Sequence, residues 1–398
     1  MLLSSLILLA AAAPAQLPED PGPYAAGWQV VSFADQNYGA GTVRARVHYP
    51  AQLAGRDTAV DLSGAPYQPV ALMHGWLGSA DGLDDLGNHL ASHGYLVINL
   101  DTEKGLFPDV PAYAVDTRAA LQWLEDESGD PASWLSGMAQ SGVNWAAIGH
   151  SMGGGTLSHL IGIEPRVRAI LGMQAADAIA PGPANMSQYT GAALWIAGSV
   201  DNIVPTGQVR RWYDRAGVTE RRMFVEVEGM GHSGCLDNPP NNQPMPGDVQ
   251  KRVHLRMLTL FLDAELRGED AEYEYLVADV GGAAPWSFDQ DCERPLLWGG
   301  ASLTSQAGLF GVHGAAGSQT IFAWSTQLGS TSTPFGDAAL DLNFGALTPP
   351  LSLGAAGWGK DYYAFPPSWS GTTVYFQAAV FQNAIDGALT APLSLPIP

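Results

Sequence analysis

The sequence predicts a doubly wound α/β domain with a mostly parallel sheet, followed by a small all-β C-terminal domain. Between residues 41 and 267, short apolar runs alternate with longer segments of helical periodicity, as in a parallel sheet covered by helices on both faces. After residue 271, apolar residues recur at every second position between clusters of Gly, Pro, Ser and Thr, a pattern typical of antiparallel strands. With 398 residues, 46% of them hydrophobic, the chain can build two cores.

Seven apolar runs predict the strands of the first domain: R-A-R-V-H-Y, P-V-A-L-M-H-G, Y-L-V-I-N-L-D, N-W-A-A-I-G-H-S, A-I-L-G-M-Q-A, A-L-W-I-A-G and M-F-V-E-V-E-G. The segments between and after them predict helices over 81–93, 111–127, 152–163, 206–216 and 250–266. We therefore assign 24–270 to the α/β domain, 271–300 to a linker and 301–398 to the β-rich domain. This last domain contains five charged residues, Asp337, Asp341, Lys360, Asp361 and Asp386. It is predicted to stabilise the protein or to assist secretion, and a substrate-binding module is the alternative.

The first residues have the pattern of a secretory leader. Residues 1–13 form an apolar run too short to span a bilayer, and Ala13-Pro14-Ala15 resembles a cleavage site, so we expect a signal peptide over 1–15. No Lys or Arg precedes Arg44, and a buried N-terminal helix is the alternative. No other segment approaches 18 uninterrupted apolar residues, so the sequence predicts a secreted protein, extracellular or periplasmic, without a membrane span.

The charge balance excludes one class of partner. Asp and Glu number 39 and Lys and Arg 18, which gives a formal net charge of −21. Nucleic-acid binding depends on neutralising phosphates with basic side chains, so a nucleic-acid partner is not expected. The composition does not indicate an oligomeric state.

Two cysteines, Cys235 and Cys292, are the only ones in the chain. In an oxidising compartment this even count predicts one disulfide, and two free buried thiols are the alternative. No H-E-x-x-H or C-x-x-C spacing occurs, so neither a metal nor another cofactor is expected.

The strongest chemical motif surrounds Ser151. Gly149-His150-Ser151-Met152-Gly153 fits G-x-S-x-G and lies between an apolar strand and a predicted helix. In that context the motif is a nucleophile elbow, whose glycines allow the strained turn to pack against its neighbours. A tight turn without chemistry is the alternative interpretation.

A serine hydroxyl needs a base, and the base needs a carboxylate to orient it. Asp201 and His232 follow the next strands in the order Ser, Asp, His, and the carboxyl ends of parallel strands meet at one edge. Asp177 also follows a strand and is the rival acid. His150 is expected to point away from the nucleophile.

Acyl transfer also requires hydrogen-bond donors for the developing oxyanion. The N–H of Met152, directly after the nucleophile, is the first candidate. The loop His74-Gly75-Trp76-Leu77-Gly78 follows an early strand, and the N–H of Trp76 is the second. The Trp76 side chain is also a candidate wall of the acyl pocket, with simple core packing as the alternative.

Four segments resemble bacterial cutinases and polyester hydrolases of the α/β-hydrolase superfamily, in the dienelactone-hydrolase and platelet-activating-factor-acetylhydrolase-like group. They are L-A-S-H-G-Y-L-V-I-N-L-D-T, G-H-S-M-G-G-G, A-G-S-V-D-N-I-V-P and E-G-M-G-H, and the similarity covers residues 65 to 265. The resemblance implies an α/β-hydrolase fold with Ser151, Asp201 and His232 as the triad, and Trp76 and Met152 as the oxyanion hole.

The substrate region departs from this family pattern. Asp177 stands where polyester hydrolases have a ring-stacking Trp, and Ser233 stands where they usually have Phe after the histidine. We therefore assign Asp177 and Ser233, with Trp76, to a more polar substrate cleft.

The expected function is hydrolysis of carboxylic esters, small or polymeric, through an acyl-enzyme. A short-chain esterase or lipase without polymer activity is one alternative. A catalytically silent fold used for binding is the other.

Overall fold

The structure, a computed structural model, describes residues 17–37, 41–142, 144–178, 184–216, 221–268, 286–292, 296–302, 307–313, 317–353, 358–364, 366–384, 386–390 and 393–397. The predicted signal peptide, 1–15, lies outside the described residues.

A ten-stranded sheet forms the centre of the first domain. Its strands lie in the order β10-β9-β8-β7-β6-β4-β5-β2-β1-β3. They are β1 (Ala25–Ala34), β2 (Thr42–Ala51), β3 (Gly55–Arg56), β4 (Gln68–Met73), β5 (Tyr95–Leu100), β6 (Trp145–His150), β7 (Val167–Met173), β8 (Ala192–Gly198), β9 (Arg221–Val227) and β10 (Trp286–Cys292). The six neighbours from β5 to β9 are parallel, while β2 and β10 pair antiparallel at either side of them.

Five helices cover the two faces of this sheet: α1 (Asp84–Ser92), α2 (Val110–Gly129), α3 (Met152–Ile163), α4 (Thr206–Arg215) and α5 (Gly247–Arg267). Successive strand residues point to opposite faces, so Ala71 and Met73 pack with α2, α3 and α4, whereas Val70 and Leu72 pack with α1 and α5. Both faces are buried, which explains the continuous apolar runs in the sequence. None of the helices that the structure describes is long and apolar enough to cross a membrane.

The fold class is confirmed, and three strands of the large sheet were not predicted from the sequence: β1, the two-residue β3, and β10. β1 pairs with β2 near one border of the sheet, and its burial is irregular, so its sequence shows no clean alternation. β10 pairs antiparallel with β9 although it lies in the range predicted to be a linker, 271–300. That part of the range therefore belongs to the large sheet.

The C-terminal region contains antiparallel sheets, as predicted. One has the order β11-β12-β18, a second has β16-β13-β19-β20 with β17 and β21 attached, and β14 pairs with β15. These strands are β11 (Leu296–Ser302), β12 (Ala307–His313), β13 (Gln319–Ser325), β14 (Leu328–Thr333), β15 (Gly336–Leu340), β16 (Gly345–Leu347), β17 (Leu351–Ser352), β18 (Trp358–Ala364), β19 (Thr373–Asn383), β20 (Asp386–Leu389) and β21 (Leu393–Pro396). Val374, Phe376, Ala378 and Val380 of β19 alternate into a small separate core.

Candidate active site

Ser151 occupies a sharp turn between β6 and α3. Its backbone has φ 52° and ψ −114°, a left-handed φ that residues other than glycine rarely adopt. The Ser151 N–H donates to the carbonyl O of Met173 at 3.0 Å, and its own carbonyl O accepts from the N–H of Ala176 at 2.8 Å. The neighbouring strand β7 and the residues after it therefore hold the serine in the strained conformation expected of a nucleophile elbow.

Close packing around the turn requires the two glycines of the motif. A Cβ on Gly149 would lie 2.2 Å from the backbone of Gly153, and a Cβ on Gly153 would lie 2.5 Å from the carbonyl O of Met73. Both distances are far below van der Waals contact, so the start of α3 could not pack against β4 and β6 with larger residues here.

The structure brings the predicted triad side chains into one hydrogen-bonded chain. His232 Nε2 is 3.0 Å from Ser151 Oγ, and His232 Nδ1 is 2.8 Å from Asp201 Oδ2. The other carboxylate oxygen of Asp201 accepts from the backbone N–H groups of Ile203 and Val204 at 2.9 and 2.8 Å. With its side chain fully buried, Asp201 accepts hydrogen bonds on both oxygens and can orient the imidazole.

Two side chains support the histidine loop in ways that the sequence analysis did not predict. Gln250 of α5 is fully buried, and its Oε1 accepts from the N–H of Gly231 at 3.1 Å while its Nε2 donates to the carbonyl O of Met245 at 2.7 Å. His150 is also buried, but it packs against the ring of His232 rather than away from the site, with ring centroids 4.8 Å apart.

Burial lowers the pKa of His150 to about 3, with the neighbouring His232 as a smaller cause. The ring is therefore neutral and carries one N–H. Because His150 Nε2 lies 2.9 Å from the carbonyl O of His232, that nitrogen carries the proton and donates. His150 thus fixes the backbone of the residue that contacts Ser151.

The loop after β4 lies directly against the serine. A Cβ on Gly75 would be 3.0 Å from Cβ of Ser151, so the next N–H, that of Trp76, is close to the nucleophile. Met152 is the first residue of α3, where a backbone N–H has no acceptor within the helix. Trp76 is 45% exposed and its Nε1 donates to the carbonyl O of Leu106 at 3.2 Å, so it is not a core side chain.

Asp177 and Ser233, the residues predicted to make the cleft polar, differ from each other in what they contact. The carboxylate of Asp177 accepts from Arg211 Nε at 2.8 Å and from an Arg215 guanidinium nitrogen at 2.9 Å, which anchors α4 to the loop after β7. Its charge is balanced by these two cations, and His232 takes its carboxylate contact from Asp201 instead. Ser233 is half-buried next to His232.

The predicted bridge between Cys235 and Cys292 is not supported. Cys235 is buried and unpaired in the described part of the chain, and the side chain of Cys292 lies outside it. The backbone register places Cys292 opposite Arg221, at the start of β9, whereas Cys235 follows the other end of that strand. The two ends of this seven-residue strand are about 20 Å apart, and a disulfide spans roughly 4.4–6.8 Å between Cα atoms, so a bridge would require the segment after β9 to return along the strand.

Within the described ranges, no group of three or more His, Cys, Asp or Glu side chains is arranged to hold a metal ion. A serine on a strained strand-to-helix turn, with aspartate and histidine loops after later strands, is the arrangement of an α/β-hydrolase. The fold and the site thus define the protein class.

Comparison with known proteins assigns the family. The family model described as PETase, PET hydrolase-like, matches residues 10–270, which is more than half of the chain, and the chain belongs to that family. The chain is 26% identical over 249 residues to Cutinase 2 from Thermobifida cellulosilytica, covering 62% of this chain and 82% of the relative. It is also 26% identical over 249 residues to Cutinase cut1 from Thermobifida fusca, covering 62% of this chain and 68% of that protein.

Proposed function

We propose that the protein is a secreted serine hydrolase that cleaves carboxylic esters through an acyl-enzyme, with polyesters such as poly(ethylene terephthalate) among its substrates. The observation that carries the proposal is the chain of contacts from Ser151 Oγ to His232 Nε2 and from His232 Nδ1 to Asp201, at 3.0 and 2.8 Å. Membership of the PET hydrolase-like family and relatives named cutinases support an ester as the substrate. The leader pattern over residues 1–15 supports secretion.

In the acylation step, Ser151 Oγ attacks the ester carbonyl carbon while His232 Nε2 takes the hydroxyl proton. Asp201 keeps the Nδ1 proton on the imidazole and stabilises the imidazolium that forms. The backbone N–H groups of Trp76 and Met152 are the proposed donors to the oxyanion of the tetrahedral intermediate, and losing one such donor typically costs about 10²–10³ in rate. His232 then protonates the departing alkoxide, which leaves the acyl group on Ser151.

Deacylation repeats these steps with water. His232 removes a proton from the water as its oxygen attacks the acyl carbonyl. When the second tetrahedral intermediate collapses, His232 returns that proton to Ser151 Oγ and the carboxylic acid leaves. The neutral, buried ring of His150 takes no proton in this cycle, because its pKa of about 3 is too low for a base that is reprotonated near neutral pH.

The test compares the wild type with Ser151→Ala on p-nitrophenyl acetate and butyrate, together with soluble-product release from a polyester film. The proposal requires that Ser151→Ala lose hydrolysis of both kinds of substrate while remaining folded by circular dichroism. Equal hydrolysis by both proteins would overturn the enzymatic assignment. Cleavage of the soluble esters without release from the film would restrict the function to a short-chain esterase.

A further inference from the structure

Gln174 follows β7 and lies between the two residues whose backbone groups hold Ser151. The carbonyl O of Met173 accepts from the Ser151 N–H at 3.0 Å, and the N–H of Ala176 donates to the Ser151 carbonyl O at 2.8 Å. Gln174 itself has φ +45°, a left-handed conformation that residues other than glycine rarely adopt. A shift of Gln174 would therefore be passed to the nucleophile through its neighbours in the chain.

The side chain of Gln174 is fully buried and extends towards the histidine loop and α5. Its Nε2 lies 3.4 Å from Sδ of Met230, two residues before His232. The same Nε2 lies 3.2 Å from Nε2 of His254 on α5, which is also fully buried. One amide group thus joins the segment that holds the serine to the elements that hold the catalytic histidine.

Hydrogen bonding at the His254 ring determines which way the amide of Gln174 faces. His254 Nδ1 is 2.8 Å from the carbonyl O of Gln250, and a carbonyl oxygen only accepts, so Nδ1 carries the proton. Burial lowers the pKa of His254 to about 4, so the ring is neutral at neutral pH and its Nε2 is an acceptor. Gln174 therefore presents its NH₂ group to His254, not its carbonyl oxygen.

His254 in turn packs against the residues that follow His232. A Cβ on Gly234 would lie 3.3 Å from Cε1 of His254, so the backbone of the loop passes directly over the ring. The Gln174 amide contacts the histidine loop just before His232, and the ring to which the amide donates contacts the loop just after it. The two contacts bracket the catalytic imidazole.

Stability alone does not explain a glutamine at this position. Within the part of the chain that the structure describes, Gln174 Oε1 is buried and has no hydrogen-bond partner, and a buried acceptor of this kind is destabilising. Methionine has a similar length and would fill the same space without that oxygen. The feature that methionine lacks is the amide N–H, so the amide N–H indicates the role of the residue.

We propose that Gln174 is a positioning residue that keeps the Ser151 hydroxyl and the His232 imidazole in register for proton transfer. The inference rests on the proposed function, because that function assigns the reaction to these two side chains. Gln174 acts through its neighbours: through the backbone at the end of β7 on the serine side, and through His254 and the histidine loop on the other.

The test removes the contact from either end. Gln174→Met keeps the length of the side chain and removes its donors, and His254→Leu removes the acceptor. Either change should lower kcat for p-nitrophenyl butyrate about tenfold, part of the roughly 10²-fold that a misplacement of about 1 Å can cost, and should leave KM within about twofold of the wild type. The double variant should lose no more than either single variant, because both remove the same contact.

Two further variants separate alignment from stability. His254→Gln keeps an acceptor oxygen and should retain most of kcat. Thr259→Val is the matched control, because Thr259 is buried on α5 and its Oγ1 contacts His89 Nε2 at 2.9 Å, which joins α5 to α1 rather than to the histidine loop. It should lower Tm and leave kcat unchanged.

Folded active sites are counted in each variant by complete labelling of Ser151 with diethyl p-nitrophenyl phosphate, and kcat is expressed per labelled site. The rate of labelling depends on the same proton transfer to His232, so it should fall in parallel with kcat in Gln174→Met. A purely structural role would lower the number of labelled sites without changing their rate.

Wild-type kcat per labelled site in Gln174→Met would overturn the inference, and so would additive losses in the double variant or an equal loss in Thr259→Val. If Gln174→Met gives no labelled sites, His254→Leu and His254→Gln decide, and equal kcat in that pair overturns the inference. Failure of the proposed function would show differently, as hydrolysis of the ester by the Ser151→Ala protein.

Discussion

Replacing Asp201 with asparagine tests the proposed proton relay most sharply, because the structure dictates how the new amide would orient. The Oδ1 position of Asp201 accepts from two backbone N–H groups, those of Ile203 and Val204. The asparagine carbonyl oxygen would keep that position, and its NH₂ group would then face His232 Nδ1. Nδ1 would become the acceptor, so the single proton of a neutral imidazole would move to Nε2, which faces Ser151.

An Nε2 that already carries a proton cannot accept the proton of Ser151. The expected loss in kcat is about 10⁴-fold, the scale observed when a triad aspartate is changed in this way, or about 5.5 kcal/mol in activation free energy. Steady-state hydrolysis of p-nitrophenyl butyrate measures the loss, and circular dichroism checks the fold.

Asp177→Asn is the matched control, since Asp177 also follows a sheet strand but pairs with Arg211 and Arg215. It should leave kcat unchanged and lower thermal stability. Equal losses of activity in Asp201→Asn and Asp177→Asn would refute the assignment of the acid.

Three further predictions concern stability. Glu19 and Arg256 form a buried two-point ion pair with distances of 2.7 Å. Arg256→Met leaves the buried carboxylate with the longer contact from Arg252 at 3.3 Å, so it should cost about 3–5 kcal/mol in urea unfolding; an unchanged midpoint would contradict this. Burial raises the pKa of Asp116 to about 6, above its ordinary value of about 4. The folded state therefore binds this proton more tightly than the unfolded state does, so the free energy of unfolding should fall as pH rises from about 4 to about 6. Asp116→Asn should flatten this pH dependence when melting is measured at a series of pH values. A reductant should leave Tm unchanged, and thiol titration of the denatured protein should detect two free thiols, Cys235 and Cys292. A Tm lowered by the reductant would instead support the disulfide.

Much of the fold could be predicted because its signals are local. Helix α3, predicted over 152–163, has those bounds in the structure, since it begins at the serine motif. α5 begins at Gly247, three residues before the predicted start, because its first residues are polar apart from Val249. Ser151, Asp201 and His232 could be predicted to meet because the sequence signals for them are local. Ser151 lies in the G-x-S-x-G turn, and Asp201 and His232 each follow the end of an apolar strand within a few residues.

Contacts between residues far apart in the sequence have no such local signal. The two arginines that donate to Asp177 lie 34 and 38 residues further along the chain. The sequence around Asp177 contains no pattern that predicts these ion pairs. The support of the histidine loop by Gln250 spans 19 residues and comes from a helix where a glutamine has the ordinary appearance of a surface residue. Tertiary packing determines the contacts of both Asp177 and Gln250, and the residues next to them in the sequence do not reveal that packing.

Strand β10 has a practical consequence for anyone who shortens this protein. Residues 286–292 come after α5 in the sequence and pair along the whole length of β9. A fragment that stops at residue 270, where the family match ends, would uncover the backbone N–H and C=O groups of β9 on that side. Exposed strand edges of this kind recruit other chains, so such a fragment should self-associate, and a cut after residue 292 is the better starting point.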